Sequence, residues 1–374
     1  MKRMASFDRL RRALLREGEP DFLPLMEFYI HPDIKDEFLT RNSIEAPEDS
    51  IGRKNVEREV RFWCNSGYDY VPIEISLRRH PAGIEGTGLS RAREALFLDY
   101  TRGRGSRGWV EFVRGMICDL EDFRRFPWPE AEELDYAPLE EIPAFLPGEV
   151  KVIVQPGRLF QGVWAFMGFE EFCFALNDRP GLVERMFDQL GGVQLGLVLR
   201  ALRYDCVGAV WLGDDLAHNS GLMIAPEHYR RLLFPWYRRM AEACEARNVP
   251  FIFHSDGKID DALEDLIACG VQAVHPLEPQ SMDIAEVKRR YGNRLAVIGN
   301  IDLSYTLTRG SGLEVEEAVK NQIRLLAPGG GYCLGSENSI PDYVPFENYD
   351  AMRRAALRYG SYPIAVPIES NETR

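Results

Sequence analysis

A chain of 374 residues, 45% apolar and 28% charged, can bury a large core without disulfide or metal staples, and it has room for two average domains or for one α/β barrel with insertions. The formal net charge of −13 argues against nucleic acid as a partner, because binding phosphates needs a basic surface. Seven cysteines (64, 118, 173, 206, 244, 269 and 333) form no C-x-x-C pair. Their odd number and scatter suggest buried thiols in a reducing compartment rather than a disulfide framework or an all-cysteine zinc site.

The basic N-terminus, Met1-Lys2-Arg3 through Arg16, lacks an apolar h-region and does not read as a signal peptide. No uncharged apolar run approaches the length of a membrane span, so a cytoplasmic protein with no membrane partner is expected. Residues 6–17 have helical spacing, with Ser6 placed as N-cap and Leu10, Leu14 and Leu15 on one face. Residues 22–28 read as a short strand carrying Glu27 near its end, followed by Tyr29-Ile30-His31-Pro32. A helix over 53–66 stops at Gly67 and a second strand covers 70–75. Residues 78–108 are rich in arginine and glycine and read as an excursion, a solvated loop or a grip for an anion. The string Phe126-Pro127-Trp128-Pro129 breaks the chain, and an acidic linker follows over 130–149.

From Val150 the rhythm becomes regular. Strands are expected at 152–154, 207–212, 250–253, 271–275, 295–298 and 331–334. Helices are expected at 159–176, 180–203, 226–247, 258–268, 283–291, 313–326 and 346–358, with Pro226 suited to a first turn. Alternating strands and helices joined by short links imply a parallel sheet with right-handed crossovers. Counting the two early strands gives about eight, which favours a closed (β/α)8 TIM barrel. The expected organisation is a single domain over 1–374, with an N-terminal extension (1–20) and an inserted segment (78–149).

Polar residues recur where strands end. The run Pro250-Phe251-Ile252-Phe253 ends in His254-Ser255-Asp256-Gly257. Period-two geometry sends His254 and Asp256 to one side, and Gly257 permits a turn into the next helix. Asp214 and Asp215, Asn300 and Asp302, and Ser336, Glu337 and Asn338 occupy equivalent places after other strands. In a parallel barrel these ends converge on one face, so a shared site is expected. One histidine with two carboxylates can hold a divalent metal with an open coordination position. Alternatively the carboxylates accept hydrogen bonds and transfer protons directly, with Asp256 only orienting His254. Nucleophile elbow, phosphate loop and H-E-x-x-H are all lacking, and Gly329-Gly330-Gly331 precedes a strand and so reads as a turn.

Several of these strings carry a resemblance: Trp211-Leu212-Gly213-Asp214-Asp215, Pro226-Glu227-His228-Tyr229-Arg230, His254-Ser255-Asp256-Gly257, Gly299-Asn300-Ile301-Asp302 and Val344-Pro345-Phe346-Glu347-Asn348. Together they resemble the uroporphyrinogen decarboxylase superfamily, which includes cobalamin- and coenzyme M-dependent methyltransferases, and the resemblance implies a (β/α)8 barrel. Where the decarboxylases carry an arginine-rich motif after the first strand, this chain has Met26-Glu27-Phe28-Tyr29-Ile30-His31, which is hostile to a polycarboxylate substrate. The methyltransferase branch binds zinc through H-x-C and a later cysteine; here Asp256 and Asn338 stand at those cysteine positions, and Cys333 reads as core. Oxygen ligands make a harder site, suited to an oxygen or nitrogen leaving group.

The expectation is therefore an enzyme that moves a methyl group from a small O- or N-methylated compound to a corrinoid supplied by a partner protein. The catalytic groups would be His254, Asp256, Asp214 and Glu337, with His254, Asp256 and Glu337 as ligands of a divalent metal, zinc first. Glu27, His31, Trp211, Asp215, Asn300, Asp302 and Asn338 would face substrate. The alternatives are a metal-free decarboxylase of a carboxylated ring and a non-catalytic subunit that docks a corrinoid protein. The resemblance also makes a homodimer an option.

Overall fold

The computed structural model describes residues 4–47, 53–76 and 115–365; the arginine- and glycine-rich excursion over 78–108 lies outside them. Strands β1 (Tyr70–Glu74), β2 (Lys151–Gln155) and β3 (Val207–Gly213) pair in parallel, and a small antiparallel hairpin, β4 (Ala217–His218) and β5 (Gly221–Leu222), follows β3. The main sheet continues through β6 (Phe251–Ser255), β7 (Ala273–Pro276), β8 (Ala296–Ile298) and β9 (Tyr332–Cys333), each parallel to its neighbour, giving seven strands in chain order. Every residue of β3 and β6 is buried, as a parallel strand covered on both faces requires. The covering helices include Phe160–Met167, Pro180–Ala201, Phe234–Glu245, Ile284–Tyr291, Gly312–Leu326 and Phe346–Tyr359.

The eighth strand expected at 22–28 is only partly realised. Leu25 bridges Leu334 and Ile30 bridges Ile340, both in parallel sense, with Met26 N–H donating to the Leu334 carbonyl at 2.8 Å and Leu334 N–H to that of Pro24 at 2.9 Å. Toward β1 the described contacts are made by side chains. The Tyr70 hydroxyl donates to the Glu27 carbonyl at 2.7 Å and accepts from the Glu27 N–H at 2.9 Å, and Gln155 Nε2 donates to the Phe28 carbonyl at 2.8 Å. Pro24 and Pro72 each remove an N–H from this edge, which leaves little for a regular ladder. The sheet is thus curled and TIM-barrel-like, with its backbone ladder open at this seam.

Several helices depart from their expected bounds for local reasons. The helix expected over 226–247 is broken into Pro226–His228, a π turn at Tyr229–Leu233, and Phe234–Glu245; Pro235 has no N–H to continue the regular bonding. Gly168, at φ +83°, separates Phe160–Met167 from Phe169–Asp178. The first helix covers Phe7–Leu14, and Ser6 does not cap it through its side chain; its N–H donates to Asp69 at 2.9 Å instead. All seven cysteines are free thiols.

Candidate functional site

Three neighbouring strands build the site. The register places Gly213 of β3 beside His254 of β6, and His254 beside His275 of β7. Registered residues on adjacent strands project to the same face about 4.8 Å apart. The two imidazoles therefore meet directly, with Nδ1 atoms 2.7 Å apart. Gly213 has no side chain to obstruct the Phe28 ring, which would lie 2.5 Å from a Cβ there. Phe28 accordingly stacks on His254, with centroids 4.4 Å apart and planes 12° from parallel. Trp211, fully buried on β3, presents edges to Phe28 and His275 at 5.2 Å each.

The outer imidazole nitrogen faces carboxylates. His254 Nε2 lies 3.4 Å from Asp256 Oδ1 and 3.7 Å from Asp215 Oδ1. Ligand atoms of Asp215, His254 and Asp256 all fall within 4.8 Å of one another, the group among the described residues with the makings of a metal site. Both acids are held from behind. Asn338 Nδ2 donates to both Asp256 oxygens at 2.7 and 2.8 Å, while Gln161 Nε2 donates to Asp215 Oδ2 at 2.8 Å. The Asp256 N–H reaches Asp215 Oδ1 at 3.0 Å. The sharp turn after β6 uses Gly257 at φ +80°, where a Cβ would strike the Ala217 carbonyl.

Burial shapes the protonation of this group. It pushes the His254 imidazole down to about 4, against the pull of Asp215 and with help from the Arg158 charge, so the ring is neutral at pH 7. Asp256 is driven upward by burial and then by the Asp215 and Glu278 carboxylates, while Asn338 and Arg158 oppose the shift.

Asp214, expected to be catalytic, turns the other way. It has no solvent exposure and collects four donors: Leu159 N–H (2.9 Å) and Phe160 N–H (2.6 Å) on Oδ2, Gln161 N–H (2.9 Å) on Oδ1, and the Tyr237 hydroxyl (2.6 Å) on Oδ2. It therefore anchors the start of the helix Phe160–Met167, where a negative charge is favoured. Burial raises its carboxyl to about 6, the donors hold it down, and it remains ionised at neutral pH. The other candidates also separate. Glu27 is fully buried and is paired through its two oxygens with the Ser336 N–H (2.8 Å) and Oγ (2.6 Å); burial lifts it to about 8. The His31 ring accepts from the Asp33 N–H at 3.3 Å and caps the helix Pro32–Arg41. Asn300 is tied to the Leu277 carbonyl and to Gln322. Asp302 caps the turn ahead of Thr306–Arg309 through the N–H groups of Ser304, Tyr305 and Thr306. Glu337, expected as a ligand, is not in the three-residue group, which Asp215 completes. Burial raises Glu337 to about 7, and its Oε2 makes no hydrogen bond among the described residues.

Four residues at or beside the group escaped the sequence reading: Arg158, Gln161, His275 and Glu278, the last accepting from the Gly257 N–H at 2.9 Å. The signal was present. Arg158 follows β2, and His275-Pro276-Leu277-Glu278 ends β7, so the rule that found His254 covers both when applied to every strand.

The chain belongs to the uroporphyrinogen decarboxylase (URO-D) family, whose model matches residues 116–359. Its relatives fall on the methyltransferase-like side of that family, as the motifs implied. Two forms of the methylcobamide:CoM methyltransferase MtaA, from Methanosarcina barkeri and from its strain Fusaro, are each 28% identical over 141 residues, or 37% of this chain. The match spans only 38% of the length of these curated relatives. A methyltransferase structure from Methanosarcina mazei superposes with a TM-score of 0.63 at 17% identity, covering 94% of this chain and 98% of that one, and so shares the fold. Among the described residues, no helix is long and apolar enough to cross a membrane.

Proposed function

We propose that this chain is a methyltransferase of the URO-D family that takes a methyl group from a small O- or N-methylated compound to a corrinoid held by a partner protein. Residues 22–30 serve in this reading as the eighth stave of a (β/α)8 barrel, with Phe28 at its mouth. The observation that carries the proposal is the neutral imidazole of His254 facing two carboxylates at 3.4 and 3.7 Å. Two ligands bound about 2.1 Å from a tetrahedral zinc stand about 3.4 Å apart, so Asp215, His254 and Asp256 fit a divalent ion and leave a position for substrate. Such an ion supplies Lewis acidity toward the oxygen or nitrogen that keeps the bonding electrons when the methyl departs.

The protein's own residues do the rest. Asn338 and Gln161 fix the two acids, which saves the cost of ordering them during turnover. Phe28 covers one face of His254 and limits water there. Arg158 offsets part of the negative charge of Asp215, Asp256 and Glu278. The same acids repel a polycarboxylated ring, which disfavours the decarboxylase alternative. One N and two O donors also suit an alkoxide or amine better than the thiol that a thiolate-rich site activates.

Purified protein is expected to hold about one divalent metal ion per chain, and His254→Ala to hold less than about a tenth of that, as read by elemental analysis. Demethylation of a panel of methoxylated and N-methylated compounds, followed through methylation of reduced cobalamin, should stop when EDTA strips the ion. Metal-free protein whose activity ignores EDTA would sink the reading.

A further inference from the structure

Proton counting across the histidine pair leads one step further. Two imidazole nitrogens 2.7 Å apart must share a single hydrogen, since two lone pairs or two N–H groups at that distance repel. Both rings are buried, where a charged imidazole is disfavoured, and a neutral ring carries one proton. Only two arrangements satisfy these conditions. In the first, His275 donates from Nδ1, and His254 carries its proton on Nε2, pointed at Asp215 and Asp256. In the second, His254 donates from Nδ1 and offers a bare Nε2 to whatever lies between the two acids, while the proton of His275 sits on Nε2. The first arrangement blocks a metal; the second leaves Nε2 free to ligate one.

Building on the proposed metal site, we infer that His275 is a positioning residue: its Nδ1 accepts the His254 N–H and thereby fixes the tautomer in which His254 Nε2 is free to ligate. Three features support this assignment. The β6–β7 register sets the two rings side by side without relying on a flexible loop. The Trp211 edge at 5.2 Å and Phe28 at 6.5 Å restrict any rotation of the His275 ring. The 2.7 Å between the two Nδ1 atoms leaves room for one shared hydrogen, so a His254 whose proton sits on Nδ1 must give it to His275. Metal-bound histidines usually give their second N–H to a carboxylate or a carbonyl. A neutral imidazole acceptor withdraws less of that proton, so His254 stays a weaker electron donor and the ion a stronger Lewis acid.

The test compares zinc affinity, by chelator competition, in the wild type, His275→Asn and His275→Leu, together with ¹⁵N shifts of the histidines in zinc-loaded wild type. Asparagine can place an acceptor oxygen near the lost Nδ1; leucine cannot. His275→Asn is expected to bind zinc within about threefold of wild type and His275→Leu about 10- to 100-fold more weakly, with His254 protonated at Nδ1. Equal affinity in His275→Leu, or a proton on Nε2 of zinc-loaded His254, overturns the inference alone. Wild type that binds no zinc overturns the metal reading and this inference with it. Should His275→Leu fail to fold, the ¹⁵N tautomer and the His275→Asn affinity decide the matter.

Discussion

The ends of β3, β6 and β7 and the ends of β8 and β9 carry the same kinds of side chain, yet they use them differently. On the β8 side, Asn300 is tied to the Leu277 carbonyl and to Gln322, and Asp302 is absorbed by N–H groups of its own turn. Across β3, β6 and β7, Asp215, His254 and Asp256 point at one another, with Gln161 and Asn338 gripping the two acids from behind. Polar residues at a strand end thus mark two populations: acids that satisfy a turn, and acids that face each other across the proposed metal position. The adjacent pair Asp214 and Asp215 holds this whole contrast in two positions.

That pair gives the sharpest way to break the comparison. Asp214→Asn turns an amide NH₂ toward donors and removes the charge that four of them share, so it is expected to cost about 3–5 kcal/mol in urea unfolding. Folded protein should nevertheless keep its metal. Asp215→Asn is expected to do the reverse, changing stability by less than about 1 kcal/mol in metal-free protein because it also relieves repulsion with Asp256. It should weaken zinc binding at least about 100-fold by elemental and competition assays. If both substitutions cost the same in both assays, the division between closed and open acids is wrong.

Much of this was legible before any coordinates. Buried apolar runs alternating with amphipathic stretches fix the parallel α/β order, since each pattern satisfies backbone bonding in only one way. His254 and Asp256 were readable because a strand end sets their direction. What could not be read is how a carboxylate is spent. Asp214 and Asp215 look alike in sequence, and only the approach of the helix at Phe160 shows that the first is consumed by N–H groups. That Asp215 rather than Glu337 lies with His254 and Asp256 has the same origin, because such groupings depend on distances between distant segments. The seam at 22–30 went unseen because an apolar run gives no hint of whether both of its edges find backbone partners.

A smaller effect concerns the seam. Glu27 is raised from 4.5 to about 8 by burial, so the folded protein holds a proton there that the unfolded chain releases above pH 4.5. Its contribution to stability is complete below pH 4.5 and is lost as pH climbs toward 8. Between pH 5 and 7, about 2–3 kcal/mol of stability should disappear through this one group. Glu27→Gln, which stays neutral, should flatten that slope in unfolding experiments run across the interval. A slope unchanged by the substitution would mean that Glu27 is ionised when folded and belongs with the open acids.

The smallest expected effect guards the other side of the contrast. Asp302 sits after β8 much as Asp256 sits after β6, and its carboxyl is lowered because hydrogen bonds from Ser304, Thr306 and Tyr305 outweigh the burial that would raise it. Those bonds are the whole of its described role. Asp302→Ala should therefore cost about 1 kcal/mol, the usual loss for an N-cap, and leave zinc affinity and methyl-transfer rate within about twofold. A tenfold fall in kcat/KM at unchanged stability would show that the β8 loop reaches substrate after all.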